Sequence, residues 1–242
     1  MTQICEGEKT TYLERLVFNN RLKVILICTL VTLFLAFQAT KMRPQTSFEK
    51  MIPLHHPFIV NMMDNREDLG GGNSIRISLE AKNGDIFNKE YMETLRQMQD
   101  ELFYMPGVER SGLRSLWSAG VRWTEVTEEG FTGGEVIPQS YNGDEQSLEV
   151  LRNNLLKSGQ IGRMVGNNFK SSIIEVPLLE VYPDPEDKGK LLNLDYQEFS
   201  HLLEKQLRDK YQAQNPNVEI HIVGFAKKVG DLIDGLMMVV MF

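Results

Sequence analysis

Residues 24–37 read VILICTLVTLFLAF, a run without a charged residue, a glycine or a proline. Counting Leu22 and the small residues to Ala39, the run approaches the roughly 18 to 20 residues that a helix needs to cross a hydrocarbon core of ~30 Å. Only a helix satisfies its own backbone hydrogen bonds in lipid. We therefore predict a transmembrane helix over 23–40, which would hold the rest of the chain at a membrane surface.

Two other structures could contain such a run. A buried core helix usually shows a polar stripe, whereas this run offers only Cys28, Thr29 and Thr32. A cleaved signal peptide has an apolar run of about 7 to 15 residues after a short basic leader. Here a leader of mixed charge precedes the run, and the residues at 37–39, Phe-Gln-Ala, make a poor cleavage site. A retained helix is the interpretation we prefer, and a non-cleaved signal anchor is physically the same thing.

The composition indicates a water-exposed domain behind that anchor. The chain has 242 residues, of which 42% are apolar and 24% charged, and its formal net charge is −7. The acidic balance and the lack of a basic patch argue against a nucleic-acid partner. Cys5 and Cys28 both lie outside the domain, so we expect no disulfide there. With no zinc spacing, phosphate loop or nucleophile motif in the sequence, we expect no cofactor, no metal site and no catalytic residues, and thus no enzyme.

The first half of the domain predicts strand, helix and strand. Residues 74–81 alternate apolar and polar side chains, which is typical of a half-buried strand. Asn88 can cap a helix that runs to about Tyr104, where Pro106-Gly107 stops it. The apolar stripe of that helix consists of Tyr91, Leu95, Met98 and Leu102. Further strands are expected over 108–117 and 121–127, and the acidic, glycine-rich residues 124–134 are expected to form a solvated loop.

The second half repeats this order. A helix over 147–157 comes first, and the apolar residues 171–181 then predict an edge strand, because Pro177 cannot donate a ladder hydrogen bond. Asp195, with Glu198 three residues later, resembles a capping box that opens a helix to about residue 212. Residues 218–224 alternate as a strand.

Together these elements predict an α+β fold. Strand–helix–strand occurs over 74–127 and again over 171–224, which indicates two ferredoxin-like βαβ lobes. The chain then finishes in GLMMVVMF over 235–242, an apolar run too short to cross a membrane. We interpret residues 229–242 as the truncated start of a second transmembrane helix.

Several segments, in this order, resemble the opening of a resistance-nodulation-division (RND) superfamily exporter, and more closely the MMPL-type predicted exporters. The resemblance covers essentially the whole chain and corresponds to the first quarter or third of a complete transporter. The segments are SFEKMIPLHHPFI at 47–59, GDIFNKEYMETL at 84–95, PGVERSGLRSLWS at 106–118, VRWTEVTEEGFTGGEVIP at 121–138 and IHIVGFAKKVGDLIDG at 220–235.

The resemblance implies that residues 1–22 are cytoplasmic and that residues 44–227 form a periplasmic porter domain, with lobes over roughly 44–135 and 136–227. It places the chain in a bacterial inner membrane. It also implies proton-driven export of hydrophobic or amphiphilic, lipid-like molecules, by an oligomer that includes further transmembrane helices. The proton-relay carboxylates of that superfamily lie in later helices, so no residue of this chain is assigned to the relay.

The resemblance also implies a cleft through which substrate passes. Our candidate substrate-contacting residues are the aromatic side chains near loops, and the alternative is that these are ordinary core residues. They are Trp117, Trp123, Phe131 and Phe169. A second hypothesis for the whole chain is a single-span, membrane-anchored module that binds a lipid or a protein without transporting it. The unfinished apolar run over 235–242 favours the exporter.

Overall fold

The computed structural model describes residues 20–39, 53, 55–65, 73–128, 130–184, 187 and 189–241. The chain divides into two compact units, residues 1–45 and 46–242. The first unit contains α1 (Arg21–Ala39), in which no side chain is buried. Within the described part of the chain, α1 is the one helix that is long and apolar enough to cross a membrane, judged by length and composition. The helix predicted over 23–40 is confirmed as a helix, and its crossing of a membrane stays a prediction.

A three-stranded antiparallel sheet forms the centre of the second unit. Strand β1 (Ser74–Ala81) is the middle strand. It pairs on one side with the strand Ser171–Pro177 and on the other with the strand Val218–Gly224, which we name β4 and β7 in chain order. The apolar side chains of β1 are buried, as the alternation predicts. β4 is an edge strand, and its last residue is Pro177, so the predicted edge position is confirmed.

The pairing of β1 differs from the prediction of two lobes. β1 was assigned to the lobe over 44–135, but both of its partners belong to residues 136–227. Strands from both predicted lobes therefore share one three-stranded sheet, and ferredoxin-like lobes are not seen among the described residues. Alternation within a strand fixes which face is buried, but it says nothing about which strand lies alongside.

The strand predicted over 108–117 is also wrong. These residues form turns around a short 3₁₀ helix, Arg110–Gly112. Two isolated bridges join them to the β4 region, Val108 to Leu178 and Arg114 to Glu175. The segment thus touches the sheet edge at single points instead of extending it.

Two hairpins lie outside this sheet. β2 (Arg122–Thr127) confirms the strand predicted over 121–127. It pairs with β3 (Gly130–Glu135), where a solvated loop was expected over 124–134. The glycines suit the hairpin, because a Cβ at position 133 would come within 2.5 Å of the Trp123 carbonyl oxygen. The second hairpin is formed by β5 (Val181–Pro183) and β6 (Leu191–Asn193).

The helices of the second unit begin largely where the capping residues predict. α2 (Pro57–Asp64) precedes β1, and α3 (Lys89–Tyr104) follows it. The Asn88 side chain accepts a 2.7 Å hydrogen bond from the Tyr91 amide, and the predicted apolar stripe of α3 is fully buried. α4 (Glu145–Lys157) begins two residues before the predicted helix, because Asp144 caps it.

A long helical stretch connects the second hairpin to β7. α5 (Tyr196–Leu202) is capped by Asp195, whose side chain accepts from the Gln197 and Glu198 amides as predicted. It continues through a π-helical segment, Leu203–Asp209, into α6 (Lys210–Gln214). Such wide turns within an α-helix are rare and frequently lie at functional positions.

α7 (Phe225–Met241) follows β7 directly and packs on α5. On one side Ala226, Val229 and Ile233 are buried, while Leu236 and Met238 are exposed. Residues 229–241 of the second transmembrane helix predicted over 229–242 are therefore the continuation of a helix that begins within the domain. Their entry into a membrane stays a prediction. Residues 1–19 of the segment predicted to be cytoplasmic lie outside the described residues.

Candidate functional site

A groove of about 870 Å³ opens at the end of the sheet where β4 stops and α7 begins. Its walls come from the turn after α3, from the 3₁₀ helix and from the start of the β5–β6 hairpin. Several of its lining side chains are apolar or aromatic, among them Tyr104, Val108, Leu179 and Tyr182. Grooves of this size that carry a few polar groups are typical binding sites for small apolar molecules.

Backbone contacts hold the floor of the groove in place. Gly107 turns the chain after α3 with φ at 78°, a conformation that favours glycine. Its carbonyl accepts a 2.8 Å hydrogen bond from the Leu179 amide, and the Glu109 amide donates to the Pro177 carbonyl at 2.9 Å. A Cβ at position 107 would meet Leu194 Cδ1 at 2.5 Å, so the turn is also closely packed. The shape of the groove is therefore set by main-chain bonds between the α3 turn and the end of β4.

The rim of the groove is aromatic and open to solvent. Tyr104 is 76% exposed, and its ring meets that of Phe103 edge-on with centroids 5.4 Å apart. The Arg110 guanidinium lies over the Phe103 ring at 5.5 Å, and its Nε donates to the Phe103 carbonyl at 3.0 Å. Arg110 is thus fastened to the last turn of α3, where exposed helix carbonyls favour a cation.

Negative charge also lines the groove. Glu109 and Asp184 both line the groove, and Asp184 is approached by the exposed Lys190 ammonium at 3.8 Å. Burial raises the pKa of the Tyr182 phenol, and the carboxylates of Glu198, Asp184 and Asp195 raise it further. Burial and the neighbouring carboxylates thus both disfavour a negative charge on the Tyr182 phenol.

Two of the candidate residues from the sequence pack against the core. The Trp117 indole donates to the Met92 carbonyl at 3.0 Å and meets the Tyr141 ring edge-on at 5.4 Å. Phe169 packs on Phe87 with ring centroids 5.6 Å apart. Both side chains therefore take part in ordinary aromatic packing, which is the alternative that the sequence left open.

The other two candidates share the β2–β3 hairpin. Trp123 lines a smaller groove of about 490 Å³ at the foot of the hairpin, together with Pro138 and Val150. Phe131 is 86% exposed and lies opposite Val126 near the hairpin turn. None of the four candidates lines the larger groove, and their contact with a substrate stays a prediction.

Sequence reasoning missed the residues that do line the larger groove. One signal was present in α3, where Phe103 and Tyr104 follow the buried stripe but lie off it. Two aromatic side chains outside an apolar stripe, next to a Pro-Gly turn, indicate an exposed aromatic rim. Leu179 and Tyr182 gave no such signal, because only the fold brings them beside the α3 turn.

The described residues contain no cluster of three or more His, Cys, Asp or Glu side chains suited to a metal ion. His56 caps α2, with its Nδ1 accepting from the Phe58 amide at 3.3 Å. The groove offers a ligand apolar contact, two phenol rings and a few charged groups.

Comparison with known proteins gives a partial likeness. No protein-family model matches the chain. A stretch of 92 residues, 35% of the chain, is 29% identical to "Putative membrane protein MJ1562" of Methanocaldococcus jannaschii. The match covers 24% of that relative, so the chain spans about a quarter of the length of the protein it resembles. That name and the apolar helix α1 together indicate membrane association.

Proposed function

We propose that this chain is the N-terminal part of an RND-type exporter of the MMPL kind, which moves hydrophobic or amphiphilic molecules outward by proton antiport. The observation that carries the proposal is the groove, an apolar and aromatic cleft of about 870 Å³ in a domain that follows a membrane-length apolar helix. A cleft of this kind suits a molecule with a long apolar body better than a small polar one.

In this proposal each unit has a separate task. α1 anchors the chain in the bacterial inner membrane with residues 1–22 in the cytoplasm, and the second unit is the periplasmic porter domain. Its partners are the lipid bilayer, the remaining transmembrane helices that couple to the proton gradient, and further copies of the transporter. The partial match to a much longer membrane protein supports a chain that works as one portion of a larger assembly.

Efflux from cells tests this proposal. Cells of the source organism with and without the gene are loaded with an apolar fluorescent dye, and the rate of dye loss is measured with and without a protonophore. We expect deletion to slow the loss several-fold, and the protonophore to slow it in the parent cells. Restoration by the wild-type gene, but not by one that carries Leu179→Glu in the groove, would link the effect to this site. A rate that is independent of both the gene and the protonophore overturns the exporter.

A second candidate function is a membrane-anchored binding module that transports nothing. One observation favours it, since α1 is the single helix of membrane length in the described part of the chain. The same experiment separates the two. If efflux does not change but the purified protein binds an apolar probe, and Leu179→Glu weakens that binding, the module is the better description.

A further inference from the structure

We infer that Asn83 is a site of spontaneous deamidation, whereas the fold protects Asn142 from the same reaction. The sequence contains two Asn-Gly pairs, and each is followed by an aspartate, so residues 83–85 and 142–144 both read NGD. Local sequence alone therefore predicts similar reactivity at the two positions, and the structure is what distinguishes them. Neither pair lines the groove, so the inference goes beyond the proposed function.

The reaction is a ring closure between the asparagine side chain and the following backbone amide. The glycine nitrogen attacks the asparagine Cγ, the bond from Cγ to the side-chain nitrogen breaks, and that nitrogen leaves with the amide proton as ammonia. Water then opens the five-membered succinimide at either carbonyl, which gives aspartate or isoaspartate. Glycine permits the closure because it has no Cβ to hinder the approach. The closure also requires a glycine amide without a bound acceptor and an asparagine side chain that can rotate.

The turn that contains Asn83 leaves the reacting atoms accessible. Asn83 is exposed and lies between β1 and α3, outside any helix or strand. Gly84 has φ at 79°, and nothing lies within 4 Å of the place its Cβ would take. Within the described part of the chain, no acceptor binds the Gly84 amide. The Asn83 Nδ2 donates to Asn217 Oδ1 at 2.7 Å, but both of these side chains are exposed, so water competes for that bond.

At Asn142 the corresponding atoms are engaged. The Gly143 amide, which would be the nucleophile, donates to Ser147 Oγ at 3.1 Å. Asp144 holds both ends of the Asn142 side chain, because its amide donates to Asn142 Oδ1 at 3.0 Å and its Oδ2 accepts from Asn142 Nδ2 at 2.9 Å. Asp144 also caps α4. Ring closure at Asn142 therefore requires the first turn of α4 to open.

Deamidation at Asn83 changes a contact at the end of the sheet. A carboxylate replaces the Nδ2 donor, so the bond that this group donates to Asn217 Oδ1 is lost. Isoaspartate also adds a methylene group to the backbone next to Lys82, whose amide donates to the Asn217 carbonyl at 2.8 Å. The modification therefore weakens the link between the β1–α3 turn and the residue that precedes β7.

Mass spectrometry of the aged protein tests the inference. The full chain in detergent is incubated at mildly alkaline pH in water enriched in the heavy isotope of oxygen, and a second sample is incubated unfolded in urea. Both are then digested in ordinary water, so that only deamidation during the incubation carries the label. The quantities compared are the rates of labelling at Asn83 and at Asn142.

We expect Asn83 to react about tenfold faster than Asn142 in the folded protein, which is the effect of about one net hydrogen bond on a rate. In urea the two rates should be similar. Ser147→Ala frees the Gly143 amide and should raise the rate at Asn142 several-fold while leaving that at Asn83 unchanged. The matched control is Ser158→Ala at the other end of α4, whose hydroxyl donates to the Leu155 carbonyl, and it should alter neither rate.

Three results would overturn the inference. Equal rates at the two positions in the folded protein would mean that the fold does not distinguish them. A folded-state rate at Asn83 far below its rate in urea would mean that the turn protects this residue as well. An unchanged rate at Asn142 in Ser147→Ala would remove the protection assigned to the Gly143–Ser147 hydrogen bond.

Discussion

Two long, apolar helices of the described chain, α1 and α7, differ in how their side chains are covered. None of the side chains of α1 is buried, and between Val24 and Phe37 its polar residues are Cys28, Thr29 and Thr32. In α7, by contrast, a stripe at positions 226, 229 and 233 is almost fully buried in the domain. An apolar helix can therefore be an anchor or a packed element, and the arrangement of its charges decides which.

The charges of α7 are placed where the domain can neutralise them. Lys227 is 7% exposed and lies 2.8 Å from Glu204, which belongs to the π-helical segment. It also pairs with Asp231 one turn later, while the buried Ser200 hydroxyl donates to Asp231 at 3.2 Å. α1 contains no acidic residue, and its only charges, Arg21 and Lys23, stand in its first turn. α7 is therefore held in the domain partly by ion pairs and hydrogen bonds of its charged side chains, whereas α1 has no charged side chain beyond its first turn.

A charge in the middle of α1 should produce the largest effect. Leu30→Arg places a guanidinium near the centre of the helix, where insertion into a membrane becomes less favourable by about 3 kcal/mol. We expect the protein to leave the membrane pellet on alkaline extraction, whereas Leu30→Ala should stay in it. Thermal unfolding of the α+β unit, followed by near-ultraviolet circular dichroism, should not change. If Leu30→Arg lowered that melting temperature instead, α1 would have to be a packed helix like α7.

A methyl group added between α5 and α7 should have the next largest effect. A Cβ at Gly230 would clash with the Ser200 Cβ and come within 2.7 Å of the Tyr196 carbonyl oxygen, neither of which can move aside easily. Gly230→Ala should therefore reduce the free energy of unfolding by about 2 kcal/mol.

Gly235→Ala is the matched control, because nothing lies within 4 Å of that position. Alanine has the higher helix propensity, so this variant should be unchanged or more stable by up to about 1 kcal/mol. Urea unfolding of both variants gives the comparison. Equal effects at the two positions would mean that α7 does not pack on α5 as the structure shows.

Removing the buried ammonium should have a smaller effect. Lys227→Met keeps most of the apolar stem but leaves Glu204 and Asp231 without their cation. Since Glu204 still has Arg208 at 2.8 Å and Asp231 reaches water, we expect a loss of about 1 kcal/mol in the free energy of unfolding. Lys228→Met, on the exposed side of the same turn, should change it by less than about 0.5 kcal/mol.

The pH dependence of that loss provides a second check. Burial works to lower the pKa of Lys227, but its bonds to Asp231 and Glu204 outweigh burial, and the pKa is raised above the ordinary 10.5. A lysine whose pKa is higher in the folded state than in the unfolded state contributes its full stabilisation at pH values below the unfolded-state pKa. That contribution to the free energy of unfolding is lost as the pH rises through the folded-state pKa. The difference between the wild type and Lys227→Met should thus be constant up to about pH 10 and narrow above it. A difference that grew with alkaline pH would contradict the ion-pair network.

Local features of the fold could be predicted from the sequence, and long-range ones could not. The caps at Asn88 and Asp195, the buried stripe of α3 and the alternation of β1 all depend on residues close together in the chain. The partners of β1 depend on pairing across distant segments, so the two-lobe prediction had no local signal to correct it. The first strand of the hairpin over 122–135 was predicted, but the second, β3, was missed because glycine is common both in loops and where strands approach closely.

The candidate site shows the same limit. Large aromatic residues near loops gave Trp117 and Phe169, which the fold uses for packing. The groove instead combines the end of α3 with residues that follow β4, two segments that no short-range pattern connects. Only the fold brings these two segments together, and the hydrogen bond from the Leu179 amide to the Gly107 carbonyl joins them.

The central position of β1 has a consequence for synthesis. Ser74 of β1 pairs with Pro177 of β4, and Ile75 of β1 pairs with Gly224 of β7. Because β1 is made before both of these strands, it has no partner until most of the domain has left the ribosome. At ~5–20 residues per second that delay is on the order of 10 s. For that time both backbone edges of an apolar strand stay open, and pairing over such distances is slow in itself. Until β4 and β7 have been made, the nascent domain is therefore open to pairing of β1 with another chain.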